Sequence, residues 1–205
     1  MNRSPVVLAL LTLAGLALAT PARAQFENMA AQQKPLHVWL GGGVSFPVSG
    51  TFRDAWDNGF NGRGMISYKP TGFPLGVRLD ISFQKFDLAS VEVEGGIDQP
   101  GTNVSTQMLS ALGNVVYGFN MGSLRPYVSA GVGAFQIKQD ADGVEGDDDD
   151  TQVEFGINGA AGVQFHLNRS LMIFAEGRLD NVYTEEGFIA EENIQVVPLT
   201  LGIVF

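Results

Sequence analysis

From Ile194 to Phe205 the chain alternates with a period of two. Val197, Leu199, Leu201, Ile203 and Phe205 fall on one face, and Pro198, Thr200 and Gly202 on the other. Successive side chains of an extended strand point to opposite faces, so this stretch is a strand with one apolar side. The same period recurs upstream and is cleanest at Leu75, Val77, Leu79, Ile81 and Phe83 set against Gly76, Arg78, Asp80, Ser82 and Gln84. Together these stretches predict eight strands, near residues 37–46, 60–69, 75–86, 104–119, 125–137, 152–167, 171–183 and 194–205. Their connections alternate long and short, and both chain ends lie on the side of the short ones. Tight turns such as Pro70 to Pro74 and Asn168-Arg169-Ser170 join antiparallel neighbours. The predicted fold is therefore all-β, an eight-stranded antiparallel up-and-down β-barrel. Glycine supports a crowded closed sheet: 26 of 205 residues, about twice the usual ~7%.

Arg3, the apolar run from Val6 to Ala19 and the small-residue pattern Ala22-Arg23-Ala24 predict a secretory signal peptide over 1–24. Residues 25–36 are polar and aperiodic and read as a periplasmic lead-in, which leaves 37–205 for the barrel. The early apolar run is shorter than the roughly 20 residues a membrane-spanning helix needs. No second run of that kind occurs, so any crossing of a membrane is made by strands. There is no cysteine, which excludes disulfides and thiolate metal sites. Without residues 1–24 the chain loses Arg3 and Arg23 and keeps all 22 acids against 10 bases, for a net charge near −12. Nucleic acid is excluded as a partner on that balance.

Alternation alone does not say which face is outside. A secreted soluble barrel of lipocalin type would turn its apolar face inward; a transmembrane barrel turns it outward. The polar face carries Arg63, Arg78, Asp80, Glu176, Arg178 and Asp180, a charge belt that finds a place inside a membrane barrel. Aromatic residues gather near strand ends, with Phe46, Phe83, Phe155 and Tyr183 toward the long loops and Tyr68, Tyr117, Phe165 and Phe205 toward the short turns, as interfacial girdles do.

The whole chain from Gln25 resembles the outer-membrane protein β-barrel domain family, the small eight-stranded OmpA-like and OmpX-like barrels. The matching pieces are Gly41-Gly42-Gly43-Val44-Ser45-Phe46-Pro47, Leu75-Gly76-Val77-Arg78-Leu79-Asp80, Arg125-Pro126-Tyr127-Val128 with Gly131 and Gly133, and Val197-Pro198-Leu199-Thr200-Leu201-Gly202. The resemblance implies a monomer in the lipid of the bacterial outer membrane. It also implies that the barrel assembly machinery reads the C-terminal strand with Phe205 as its signal. It transfers a location rather than an activity: a non-enzymatic structural or surface-interaction barrel, with a small-molecule conduit of OmpW-like type as the alternative.

Chemistry is sparse. The two histidines, His37 and His166, sit at turn-side strand ends, and no G-x-S-x-G, H-E-x-x-H or phosphate-binding glycine loop is present. No cofactor is expected. Three Arg match three acids in the middle layer, and paired charges of that kind plug a barrel just wide enough for its side chains. The second, third and fourth long loops hold 14 of the 22 acids. Among them the run Asp147, Asp148, Asp149, Asp150 offers hard oxygen ligands to divalent cations, although it lacks the spacing of a calcium loop.

Overall fold

A computed structural model describes residues 35–55, 57–70, 72–87, 104–119, 121–141, 151–168, 171–184 and 193–205. The expected signal peptide, most of the lead-in, and Asp147 to Asp150 lie outside the described residues. Eight strands form one closed antiparallel barrel in chain order: β1 (Leu36–Pro47), β2 (Gly59–Tyr68), β3 (Leu75–Asp87), β4 (Val104–Gly118), β5 (Leu124–Ala141), β6 (Thr151–His166), β7 (Met172–Tyr183) and β8 (Asn193–Val204). Closure is made by β1 on β8, from Trp39↔Val204 to Pro47↔Val196. At its end Phe205 and Val38 exchange both backbone hydrogen bonds, at 2.9 and 3.2 Å.

The apolar set of every strand faces out. Leu75, Val77, Leu79, Ile81 and Phe83 are all exposed while Arg78, Asp80, Ser82 and Gln84 are buried. The same holds for Leu199, Leu201 and Ile203 against Thr200. A continuous apolar outer wall of this size has no stable place in water, and it excludes the lipocalin-like arrangement. The girdle residues Phe83, Phe155, Tyr183, Tyr68, Tyr117, Phe165 and Phe205 are exposed on that wall, with Phe155 stacked on Tyr183 at 6.3 Å.

Three local features differ from the sequence reading. The fifth strand does not stop at Ile137: pairing with β4 runs on to Val104↔Ala141, so Lys138 and Asp140 belong to a strand and not to a loop. Polar residues on both sides of that extension erase the alternation that would mark it. A single helical turn, α1 (Gly50–Ala55), follows β1. Its first bond runs from Arg53 N–H to the Ser49 carbonyl at 2.7 Å. Finally, β7 and β8 pair from Met172↔Val204 to Gly177↔Leu199 and resume at Asp180↔Val196. The two missing pairs are those that need an N–H at Pro198 to reach the Arg178 carbonyl, and proline has none.

Candidate functional site

Among the described residues, chemistry-bearing side chains converge on the inward face of the barrel. Strands β3 and β7 lie half a circumference apart in the closed order, so their inward residues meet across the lumen. Asp80 and Arg78 come from β3, Glu176 and Arg178 from β7, and Arg63 from β2 beside them. Arg63 bridges the two sides, donating from Nη1 to Glu176 Oε1 at 2.7 Å and from Nη2 to Asp80 Oδ2 at 3.0 Å. Arg78 does the same with a full fork, Nε to Asp80 Oδ1 at 2.8 Å and Nη1 to Glu176 Oε2 at 2.7 Å. Arg178 pairs with Asp180 through Nη2 at 2.7 Å and also donates to Ser82 Oγ at 3.1 Å. All six side chains are wholly buried in these pairs. Arginine suits this task because its planar fork engages a carboxylate at two points. Three cations and three anions leave the layer neutral.

Polar residues continue the layer along β1, β2, β3 and β8. Asp180 accepts from Gln84 Nε2 at 3.4 Å, Gln84 Oε1 accepts from Ser45 at 2.8 Å, and Thr200 donates to Asn61 Oδ1 at 2.9 Å. Asn114 Oδ1, Ser129 Oγ and both side-chain polar atoms of Asn158, on β4 to β6, have no hydrogen-bond partner among the described residues, and the same is true of Arg63 Nε within the charge network.

Two apolar layers close the lumen above and below these charges, and the sequence reading missed both. On the turn side Trp39, Met65, Tyr127, Met172, Phe174 and Val204 pack together. Trp39 meets Tyr127 edge-on at 5.7 Å and Phe174 at 5.2 Å. This layer is tied to the charges, because Tyr127 Oη donates to Glu176 Oε2 at 2.8 Å and the Arg78 guanidinium lies 5.4 Å from the Trp39 ring centre. On the loop side α1 drops Phe52 into the barrel mouth, edge-on to Phe86 at 5.6 Å. Met108, Leu112, Phe135, Ile137, Val182, Ile194 and Val196 complete that layer. Alternation assigns a face to each strand residue but carries no information on depth, so it does not show that the inward face turns apolar on both sides of the charges.

Glycine makes room for the inner rings. A Cβ at Gly162 would meet the Tyr127 ring at 2.5 Å and the Ala175 carbonyl at 2.7 Å. One at Gly202 would meet Phe174 at 2.5 Å and the Leu40 carbonyl as well. Each ring lies over a glycine of the neighbouring strand, in the pairs Tyr127↔Gly162 and Phe174↔Gly202.

The predicted charge residues are thus brought together, while the predicted loop acids fall outside the described residues. His37 and His166 remain at the turn-side ends. Among the described residues no group of three or more His, Asp or Glu could hold a metal ion.

A neutral buried core inside an apolar wall narrows the comparison to membrane barrels, and residues 8–203 match the family model for the outer membrane protein beta-barrel domain. The chain belongs to that family. No curated protein matches. Among solved structures, the family barrel here is similar to Neisserial surface protein A, with a TM-score of 0.60 at 16% identity over 83% of this chain and 96% of that one. It is also similar to a major outer membrane protein from Thermus thermophilus, with a TM-score of 0.51 at 15% identity over 83% and 98%. A third is the attachment invasion locus protein Ail of Yersinia pestis, with a TM-score of 0.50 at 14% identity over 84% and 100%. At such identities the likeness shows the fold. Family and architecture together place this barrel in the bacterial outer membrane.

Proposed function

We propose that this outer-membrane barrel is a non-enzymatic, sealed scaffold that holds its long acidic connections at the cell surface. The observation that carries the reading is the filled lumen: a neutral network of six buried charges between two apolar layers. Hydrogen-bonded polar side chains and the two apolar layers occupy the β1–β3 side of the lumen among the described residues. The alternative, a small-molecule conduit, draws on the unpartnered Asn114, Ser129 and Asn158 atoms, which line the β4–β6 wall. They stop short of the loop-side layer of Met108, Leu112, Phe135 and Ile137 on the same strands.

The long connections define what the scaffold presents. Those after β3, β5 and β7 carry 13 of the 22 acids, so a cationic partner or divalent cations suit them, with Asp147 to Asp150 as the densest point. Ail has been crystallised with the heparin analogue sucrose octasulfate; acids at this density would repel such a polyanion from the present chain. The turn side, with Gly72 at a φ of 81° and Pro74 in its connection, faces the periplasm in this reading. Phe205, bonded to β1 at the closing seam, serves the assembly machinery. An epitope inserted at Gly146 is expected to be labelled by antibody on intact cells, and one inserted at Gly72 only after permeabilisation. The opposite labelling would overturn the orientation and the surface role with it.

A further inference from the structure

The chain contains three Asn-Gly dipeptides, Asn58-Gly59, Asn61-Gly62 and Asn158-Gly159. In such a pair the glycine nitrogen is well placed to attack the asparagine side-chain carbonyl, because no Cβ hinders its approach and the glycine backbone turns freely. The barrel treats the three differently. Asn61 is buried, with Nδ2 donating to Ser45 Oγ and to the Leu199 carbonyl at 3.3 Å each and Oδ1 accepting from Thr200 at 2.9 Å. It also lies inside the ladder on both sides, opposite Gly43 and Gln84. Asn158 is buried as well, and is held between Gly131 and Asp180 of the neighbouring strands. Asn58 is exposed, one residue before β2 begins, and no hydrogen bond to a described residue holds its side chain.

The local register shows why this pair is loose. Asp57 N–H donates to the Asp87 carbonyl at 3.0 Å, and the next anchor along is the pair Phe60↔Lys85. Between those points lie Asn58 and Gly59 on one strand and Phe86 alone on the other. Two residues opposite one is the count of a β-bulge, where the ladder is interrupted. On its other side Gly59 is the last partner of the β1–β2 ladder, opposite Ser45. The bulge dictates the glycine, since a Cβ at Gly59 would run into the Lys85 carbonyl and the Phe86 ring. An asparagine thus precedes an obligatory glycine at an exposed break in the sheet.

We propose that Asn58 is a site of spontaneous deamidation. The Gly59 nitrogen bonds to Asn58 Cγ and gives up its proton, the bond from Cγ to Nδ2 breaks, and ammonia leaves with that proton. Water then opens the succinimide at one carbonyl or the other, giving aspartate or isoaspartate without any change of oxidation state. The product adds a carboxylate next to Asp57, at the rim that also carries the exposed Asp87. The isoaspartyl form further adds one backbone atom to the connection between β2 and α1, the element that carries Phe52 into the barrel mouth. The inference goes beyond the scaffold reading and needs only the register of β1, β2 and β3.

The test ages the folded wild-type barrel in detergent at mildly alkaline pH. Peptides taken at intervals are weighed for the exchange of amide for acid, and isoaspartate is counted with a protein isoaspartate methyltransferase. Conversion at Asn58 is expected to run at least tenfold faster than at Asn61 or Asn158. In the urea-unfolded chain the three rates should come together, because each asparagine there has the same glycine neighbour and no fold to hold it. Asn58→Gln should remove the methyltransferase signal of the folded protein, since its longer side chain closes the ring far more slowly. An unmodified Asn58 in the folded barrel, or equal rates at all three positions in it, would overturn the site.

Discussion

Replacing Arg78 by Ala is expected to destabilise the folded barrel by about 3–5 kcal/mol, the range found when one member of a buried ion pair is removed. With a slope of about 1–3 kcal/mol per molar urea, the unfolding midpoint in detergent should fall by roughly 2 M. The size follows from what the guanidinium does. It makes four hydrogen bonds to Asp80 and Glu176, and its loss leaves these carboxylates with Arg63, a more distant Arg178 at 4.0 Å from Asp80 and the Tyr127 hydroxyl. The penalty should arise from the orphaned charge more than from the lost volume. Arg78→Met combined with Glu176→Gln restores neutrality, and its cost should be about half that of Arg78→Met alone. If single and double variants lose the same stability, the layer is not electrostatically coupled and its burial is not what the geometry describes.

The second large effect is expected from Gly162→Leu. A side chain there runs into the Tyr127 ring and the Ala175 carbonyl. Tyr127 must then leave both Glu176 and the Trp39 ring. Overpacking of a filled interior costs about 1–3 kcal/mol, and an unpaired carboxylate oxygen adds a further ~1–3 kcal/mol. A loss of about 3 kcal/mol by urea unfolding is the expected outcome. Gly159→Leu is the internal control, since a Cβ there meets nothing within 4 Å and Gly159 is exposed on the outer wall. Equal losses from the two variants would mean that strand propensity, and not the ring over Gly162, accounts for the effect.

These two residues also mark where sequence reading succeeds and where it ends. Arg78 and its five charged companions were legible because alternation assigns a face to every residue, and six charges on the face opposite Val77 and Leu79 are conspicuous. Their pairing was not legible: Arg78 reaches Glu176 across the lumen, and only the closed order of eight strands sets β3 opposite β7. Gly162 carried no signal at all beyond the high glycine content, because the reason for it is a ring on another strand. Trp39, Phe52 and Phe86 were invisible as lids for a related reason. A period of two says in or out, whereas height along the barrel depends on register and stagger between strands. The extension of β5 past Ile137 was hidden because both of its faces are polar there.

A planar lipid bilayer containing the purified wild-type barrel tests the sealed lumen most directly. Charges paired as Arg63, Arg78, Arg178 with Asp80, Glu176, Asp180, and closed in by the Trp39 and Phe52 layers, predict a baseline current without stable openings over a wide voltage range. Stable, reproducible openings from the unmodified protein would contradict the account.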